Sequence, residues 1–160
     1  MRRRDKGFSL IELLIVVAII LIIAGMAIPN LLRSKIQPNE ASAVQSLHTL
    51  TDACVMYSNT YGGYPAALGD LATATAQNTQ ASSAAADLIS PDLASGTKAG
   101  YLFTYTKGQT DPAGNVLTYS ITAVPVVLGT TGQRSFYTDQ SGLIRASASG
   151  AATVANSPIP

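Results

Sequence analysis

The chain has 160 residues, 47% of them hydrophobic, with one cysteine, one histidine and a formal net charge of +1. That length holds one modest domain, and the single cysteine rules out an intrachain disulfide framework. The charge is uneven: residues 1–7 carry Arg2, Arg3, Arg4 and Lys6 against Asp5, which leaves six basic and eight acidic side chains over residues 8–160 and no clustered basic face for nucleic acid.

The first element is a membrane-like helix. Residues 13–28, LLIVVAIILIIAGMAI, contain no charged side chain, and with the flanks the run covers residues 8–32. As a helix it measures about 37 Å, enough to cross a bilayer. The basic residues ahead of it predict a cytoplasmic N-terminus, with everything beyond residue 32 on the far side. One residue does not suit a plain anchor. Glu12 lies near the start of the run, and an acid at the bilayer centre costs about 2.5–3.5 kcal/mol. Three readings compete: a secretory signal cut after the run, a single-span anchor, and a cut before the run, after Gly7. Gly25-Met26-Ala27 is a poor signal-cleavage site, and the anchor leaves Glu12 unexplained.

Pro29 removes a hydrogen-bond donor and frees the carbonyl of Gly25, itself a weak helix former, so Gly25–Pro29 is the expected place for a kink. Pro38 frees the Ser34 carbonyl in the same way, and residues 34–39 are expected to bend or interrupt the helix. From Asn39 the pattern is amphipathic: Ala43, Leu47, Leu50, Cys54, Tyr57 and Tyr61 follow spacings of 4, 3, 4, 3 and 4, one helix face. Ser46, His48 and Asp52 lie off that stripe, and a solvated role fits His48. A lone histidine builds neither a zinc site nor a catalytic triad. Cys54, on the stripe, reads as a small apolar core residue. YGGYP at 61–65 ends the helix.

Residues 62–100 are a long connection rich in Ala, Ser, Thr and Gln, read as a surface segment with a short helix around Ser83–Ile89 that stops before Pro91. The period then changes to two. GYLFTYTK sets Tyr101, Phe103 and Tyr105 on one face, and VLTYSITAVPV does the same with Leu117, Tyr119, Ile121 and Ala123. RSFYTD and LIRAS are the third and fourth strands, with turns at DPAGN (111–115), LGTTGQ and QSG. Residues 101–149 therefore read as an antiparallel sheet of about four strands, and residues 150–160 as a flexible C-terminal tail. The fold class is α+β. Asp111, Asn115 and Asp139 offer oxygen ligands, but they stand in turns that such residues build for themselves, and nothing has EF-hand spacing. No metal or other cofactor is expected. Without GxSxG, a P-loop or a Cys/His pair, no catalytic residue is assigned.

KGFSLIELLIVVAII at 6–20 resembles the class III prepilin leader of type IV pilins and type II secretion pseudopilins. Gly7, Phe8 and Glu12 match it position for position. NEASAVQSL followed by YPAALGDL is similar to the helix and its exit in bacterial pilins and major pseudopilins, and RSFYTDQSGLIRAS resembles the closing hairpin of a pilin group without cysteines. The resemblance implies a pilin-like fold, with residues 1–7 as leader, 8–32 as filament-core helix and 33–61 as its amphipathic continuation into the head. It implies cleavage after Gly7 and N-methylation of Phe8 by a prepilin peptidase, and assembly through Phe8 and Glu12, the acid meeting the N-terminal amine of a neighbouring subunit. An unpaired buried charge is costly, whereas a hydrogen-bonded pair offsets much of that cost. The implied partners are further copies of the chain, the peptidase, an inner-membrane assembly platform and membrane lipid. The implied location is the inner membrane before assembly and an extracellular pilus after it. A major pilin serving motility, adhesion or DNA uptake is the leading expectation. A type II secretion pseudopilin and a minor tip pilin with an adhesive head are the alternatives. Many pilins close the C-terminal region with a disulfide, so a chain with one cysteine needs another device there.

Overall fold

The structure, a computed structural model, describes residues 8–73 and 80–159, with backbone alone for residues 26–33. The leader at 1–7, including Gly7, therefore lies outside the described residues. The chain divides into two units, residues up to Ser34 and residues from Lys35 onward.

The first unit is helix α1, Leu10–Ser34. Its helical backbone passes through Gly25 and Pro29; the Pro29 side chain is outside the described set. In the second unit, helix α2 runs from Ile36 to Tyr61. The interruption between the helices falls at Lys35, within the segment that Pro38 was expected to disturb. Physically, Pro38 has no N–H to give the Ser34 carbonyl, so that turn loses a bond. The ladder restarts with Asn39 N–H on the Lys35 carbonyl, 3.1 Å. At its other end α2 stops at Gly62, whose φ of 83° is left-handed and whose N–H bonds the Ser58 carbonyl.

The expected stripe faces the core. Ala43, Leu47, Leu50 and Cys54 are fully buried and Tyr57 nearly so, and they pack with Tyr101, Phe103, Ile121, Ala123 and Phe136 of the sheet. Ser46, although off that stripe, is buried and donates its hydroxyl to the Ser42 carbonyl.

The sheet has five strands rather than about four: β1 Thr97–Lys98, β2 Tyr101–Lys107, β3 Tyr119–Pro125, β4 Ser135–Asp139 and β5 Arg145–Ser147. They form an antiparallel meander in sequence order. β1 escapes a sequence reading because two residues carry no alternation to detect. Phe103 pairs with Ala123, and Ala123 with Phe136, so one face of three strands is apolar. Leu117, expected in β3, is half exposed, and the strand begins two residues later at Tyr119.

Two further expectations are corrected. Residues 83–89 do not form a helix. Ser82 and Ala85 exchange backbone hydrogen bonds across a tight turn, and the helical turn is α3, Pro91–Ala94. Pro91 therefore starts that helix instead of stopping an earlier one, since its fixed φ and missing N–H suit the first helical turn. Nor is the connection wholly superficial, because Leu71, Ile89 and Leu93 reach the core. The end of the chain is docked, not loose. Ile159 N–H bonds the Ile144 carbonyl at 2.9 Å, Arg145 Nη1 donates to the Asn156 carbonyl, and Ala152 is 2% exposed.

Candidate functional site

At the N-terminal end of α1, Phe8 is 82% exposed. The helix starts after Ser9, and Glu12 is its third residue. The Glu12 carboxylate accepts the Ser9 N–H at 2.9 Å, and the Leu13 N–H closes the first turn on the Ser9 carbonyl. This is the acidic half of a capping box, which satisfies an orphan donor and places negative charge at the positive end of the helix dipole. Sequence reasoning treated Glu12 as an acid awaiting a partner and missed this local one. The signal was present in Ser9-Leu10-Ile11-Glu12, the S-x-x-E spacing of a helix start.

Beyond Glu12 the exposed side chains are apolar on every side. Leu13, Leu14, Ile15, Val16, Val17, Ile19, Ile20, Leu21, Ile22 and Ile23 are all exposed. Consecutive exposed positions point around the whole helix, so no single stripe is waiting for one partner. A helix apolar all round is one that lives in a membrane or in the centre of a larger assembly. Burying such side chains is worth about 1.5–3 kcal/mol each, on the order of 20 kcal/mol for the set. Among the described residues no helix is long and apolar enough to cross a membrane. The described side chains of α1 end at Gly25, and the expected span continues into residues 26–32.

A second cluster lies in the head. Glu40 accepts the N–H groups of Gln133 and Arg134, at 2.9 and 3.1 Å, and the Arg134 Nε at 2.7 Å. Burial alone would raise its carboxyl pKa, but those hydrogen bonds and the Arg134 charge outweigh it and hold the group below its ordinary value. Arg134 also lies over the Phe136 ring, 5.5 Å from its centre, and its carbonyl accepts the Tyr101 hydroxyl at 2.8 Å. Glu40 thus pins the start of α2 to the β3–β4 connection. Its position three residues before Ala43, on the same stripe, was the available sign: an acid on an apolar face needs a buried partner.

The turn acids serve their turns. Asp111 accepts both the backbone N–H and the side-chain amide of Asn115, and the bond from that amide, more than any other contact, holds its carboxyl below the ordinary value. Asp139 accepts the Ser141 N–H. Among the described residues no three His, Cys, Asp or Glu side chains gather in a metal-binding group. His48 is exposed on α2. Burial pushes the Cys54 thiol up to about 12.

Residues 2–28 match the prokaryotic N-terminal methylation motif. Curated relatives are of two kinds. The type IV wide pilus major component PilA4 of Thermus thermophilus is 44% identical over 41% of this chain and 53% of its own. Type II secretion system core protein G of Aeromonas hydrophila is 34% identical over 40% of this chain and 45% of its own. The type IV major pilin PilA of Myxococcus xanthus is 46% identical over 31% of this chain and 23% of its own. The chain therefore spans about half or less of the length of these relatives. No solved structure gives a significant match. The methylation motif, relatives of both kinds and a long N-terminal helix followed by an antiparallel sheet support the superfamily of type IV pilins and type II secretion pseudopilins.

Proposed function

We propose that the chain is a filament subunit, the major pilin of a type IV pilus, cut after Gly7, N-methylated on Phe8 and polymerised through α1. The observation that carries this reading is an all-round apolar helix, exposed and headed by an acid, that lies largely within the methylation-motif match at residues 2–28. Before assembly α1 is held by the membrane; on assembly it must find another dry environment, which packed copies of itself provide. Cleavage frees a cationic amine on Phe8, four residues from Glu12. In the subunit the carboxylate is held by Ser9 N–H; in the filament it pairs with the amine of a neighbour. Gly25 and Pro29 give α1 a place to adjust as it packs. Motility, adhesion and DNA uptake belong to the filament, with no catalytic role for the chain itself. Its partners are its own copies, the prepilin peptidase and the inner-membrane assembly platform.

Glu12 offers the test, because capping and pairing separate chemically. Glu12→Gln keeps an oxygen for Ser9 N–H but removes the charge; Glu12→Ala removes both. Losing one partner of a buried ion pair costs about 3–5 kcal/mol, so both variants should fail to form filaments, while Glu12→Gln keeps parental helicity. Parental filament yield from Glu12→Gln would reduce Glu12 to a helix cap and end the pairing account.

The second reading, a pseudopilin of a type II secretion system, is supported by the similarity to core protein G. Deleting the gene separates the two. Loss of surface filaments with protein export intact supports the pilus, and the reverse supports the secretion system.

A further inference from the structure

The β3–β4 connection presents three consecutive apolar side chains to solvent: Val126 at 57%, Val127 at 51% and Leu128 at 71% exposure. Its backbone is largely satisfied from within the head. Val126 N–H bonds the Gly100 carbonyl, Val127 N–H the Thr131 hydroxyl, Gly129 N–H the Gly132 carbonyl, and Thr130 and Thr131 both bond the Val127 carbonyl. The tip is thus a closed turn with most of its N–H groups occupied, which lowers the cost of bringing it into an apolar medium. Its position in the head is fixed: Asn39 Nδ2 donates to the Thr131 carbonyl, and Glu40 holds Gln133 and Arg134. Asn39 is five residues after Ser34, the last residue of α1. Two exposed cations flank this end of the head. Lys35 begins the second unit, and Lys98 pairs with Tyr101 beside the Gly100 carbonyl that holds Val126.

We infer that the Val126–Leu128 tip is an interfacial anchor that seats the head on the anionic bilayer surface from which α1 emerges, with Lys35 and Lys98 toward the headgroups. Apolar tip, largely occupied backbone donors and cationic rim are three features an interfacial site combines. The inference rests on the reading that α1 spans the membrane. Its consequence is orientation. A subunit seated at its base holds its sheet in one attitude to the membrane, which narrows the search when a new subunit joins a filament.

The test places an environment-sensitive fluorophore on full-length protein reconstituted at low density in vesicles of phosphatidylethanolamine and phosphatidylglycerol carrying a lipid-borne quencher. Labelled positions are Leu128→Cys, Val126→Cys, Ile19→Cys within α1, and Ala113→Cys in the turn at the other end of the β2–β3 pair, about 20 Å along the strands. Cys54 is fully buried and stays unlabelled in the folded protein. A side chain held about 5–10 Å into the interface should lose roughly half its emission. We expect that loss at 128 and 126, a larger one at 19 and almost none at 113. Quenching at 19 without quenching at 126 and 128 would overturn the anchor alone. A label at 128 that is shielded only at high protein density, and not by lipid, would assign the tip to a second copy and also overturn it. Absence of quenching at 19 would overturn the spanning reading and the anchor together.

Discussion

Removing the Glu40 carboxylate should destabilise the head by more than a surface ion pair is worth. Its Arg134 partner is 48% exposed, so the ionic contact alone contributes about 0–1 kcal/mol. The two backbone N–H groups of Gln133 and Arg134 decide the larger part. Left without an acceptor, each costs about 1–3 kcal/mol, and since both residues have solvent on one side the lower end applies. Glu40→Ala should therefore cost about 2–3 kcal/mol, and Glu40→Gln, which keeps an oxygen for the backbone donors, about 1 kcal/mol. The sign with pH follows from a folded pKa held below the ordinary 4.5. The contribution is fully present above that value and is lost as pH falls through the lower, folded pKa, so parent and Glu40→Gln should converge in acid. Urea unfolding of the full chain in mild detergent, followed by tyrosine near-ultraviolet dichroism from pH 7 down to about pH 3, measures this. Hydrogen exchange at the amides of Gln133 and Arg134 gives the local readout. A Glu40→Ala protein within about 0.5 kcal/mol of the parent, with both amides still protected, would refute the reasoning.

Leu47→Ala, at a fully buried site between α2 and the sheet, should cost about 2–5 kcal/mol by the same measurement, and near-parental stability would place α2 elsewhere. Burial raises the hydroxyl pKa of Tyr101 to about 12 and lifts Tyr105 and Tyr119 further above their ordinary value of 10.0. Raised folded values mean stability that is complete below pH 10 and lost as pH climbs through them, so tyrosinate absorbance should appear together with unfolding; gradual titration of a folded head would contradict that. Native Cys54 should resist alkylation near pH 8 and react fully once the chain is unfolded, whereas rapid native labelling would contradict its burial. Deleting residues 151–160 removes Ala152, Ile159 and the Asn156 carbonyl from the head and should lower its stability by about 2 kcal/mol; an unchanged midpoint would show that the docked end contributes nothing.

Legibility followed length and period. The α2 stripe at Ala43, Leu47, Leu50, Cys54 and Tyr57 and the alternation at Tyr101–Phe103 and Tyr119–Ala123 could be read directly, because each repeats a geometric period several times. The two-residue strand β1 repeats nothing. The Ala- and Ser-rich stretch at 83–89 has helix-permitting composition, but its exchange of bonds between Ser82 and Ala85 is a tertiary outcome. Pro91 could stop one helix or start another, and only its neighbours decide. At the N-terminus a motif singled out Phe8 and Glu12, while the Ser9–Glu12 bond was visible as spacing and went unread. Glu40, an acid out of place on an apolar stripe, could have been read but was not, and its partner Arg134, 94 residues away, carried no such sign.

The central claim is that this chain is cut, methylated and polymerised. Mass spectrometry of filaments sheared from the cell surface tests it in one step. The account predicts an abundant chain that begins at Phe8, carries a methyl group on its N-terminal amine and lacks residues 1–7. A chain that is abundant in the inner membrane but absent from sheared filaments, or one that still begins at residue 1 in them, would contradict it.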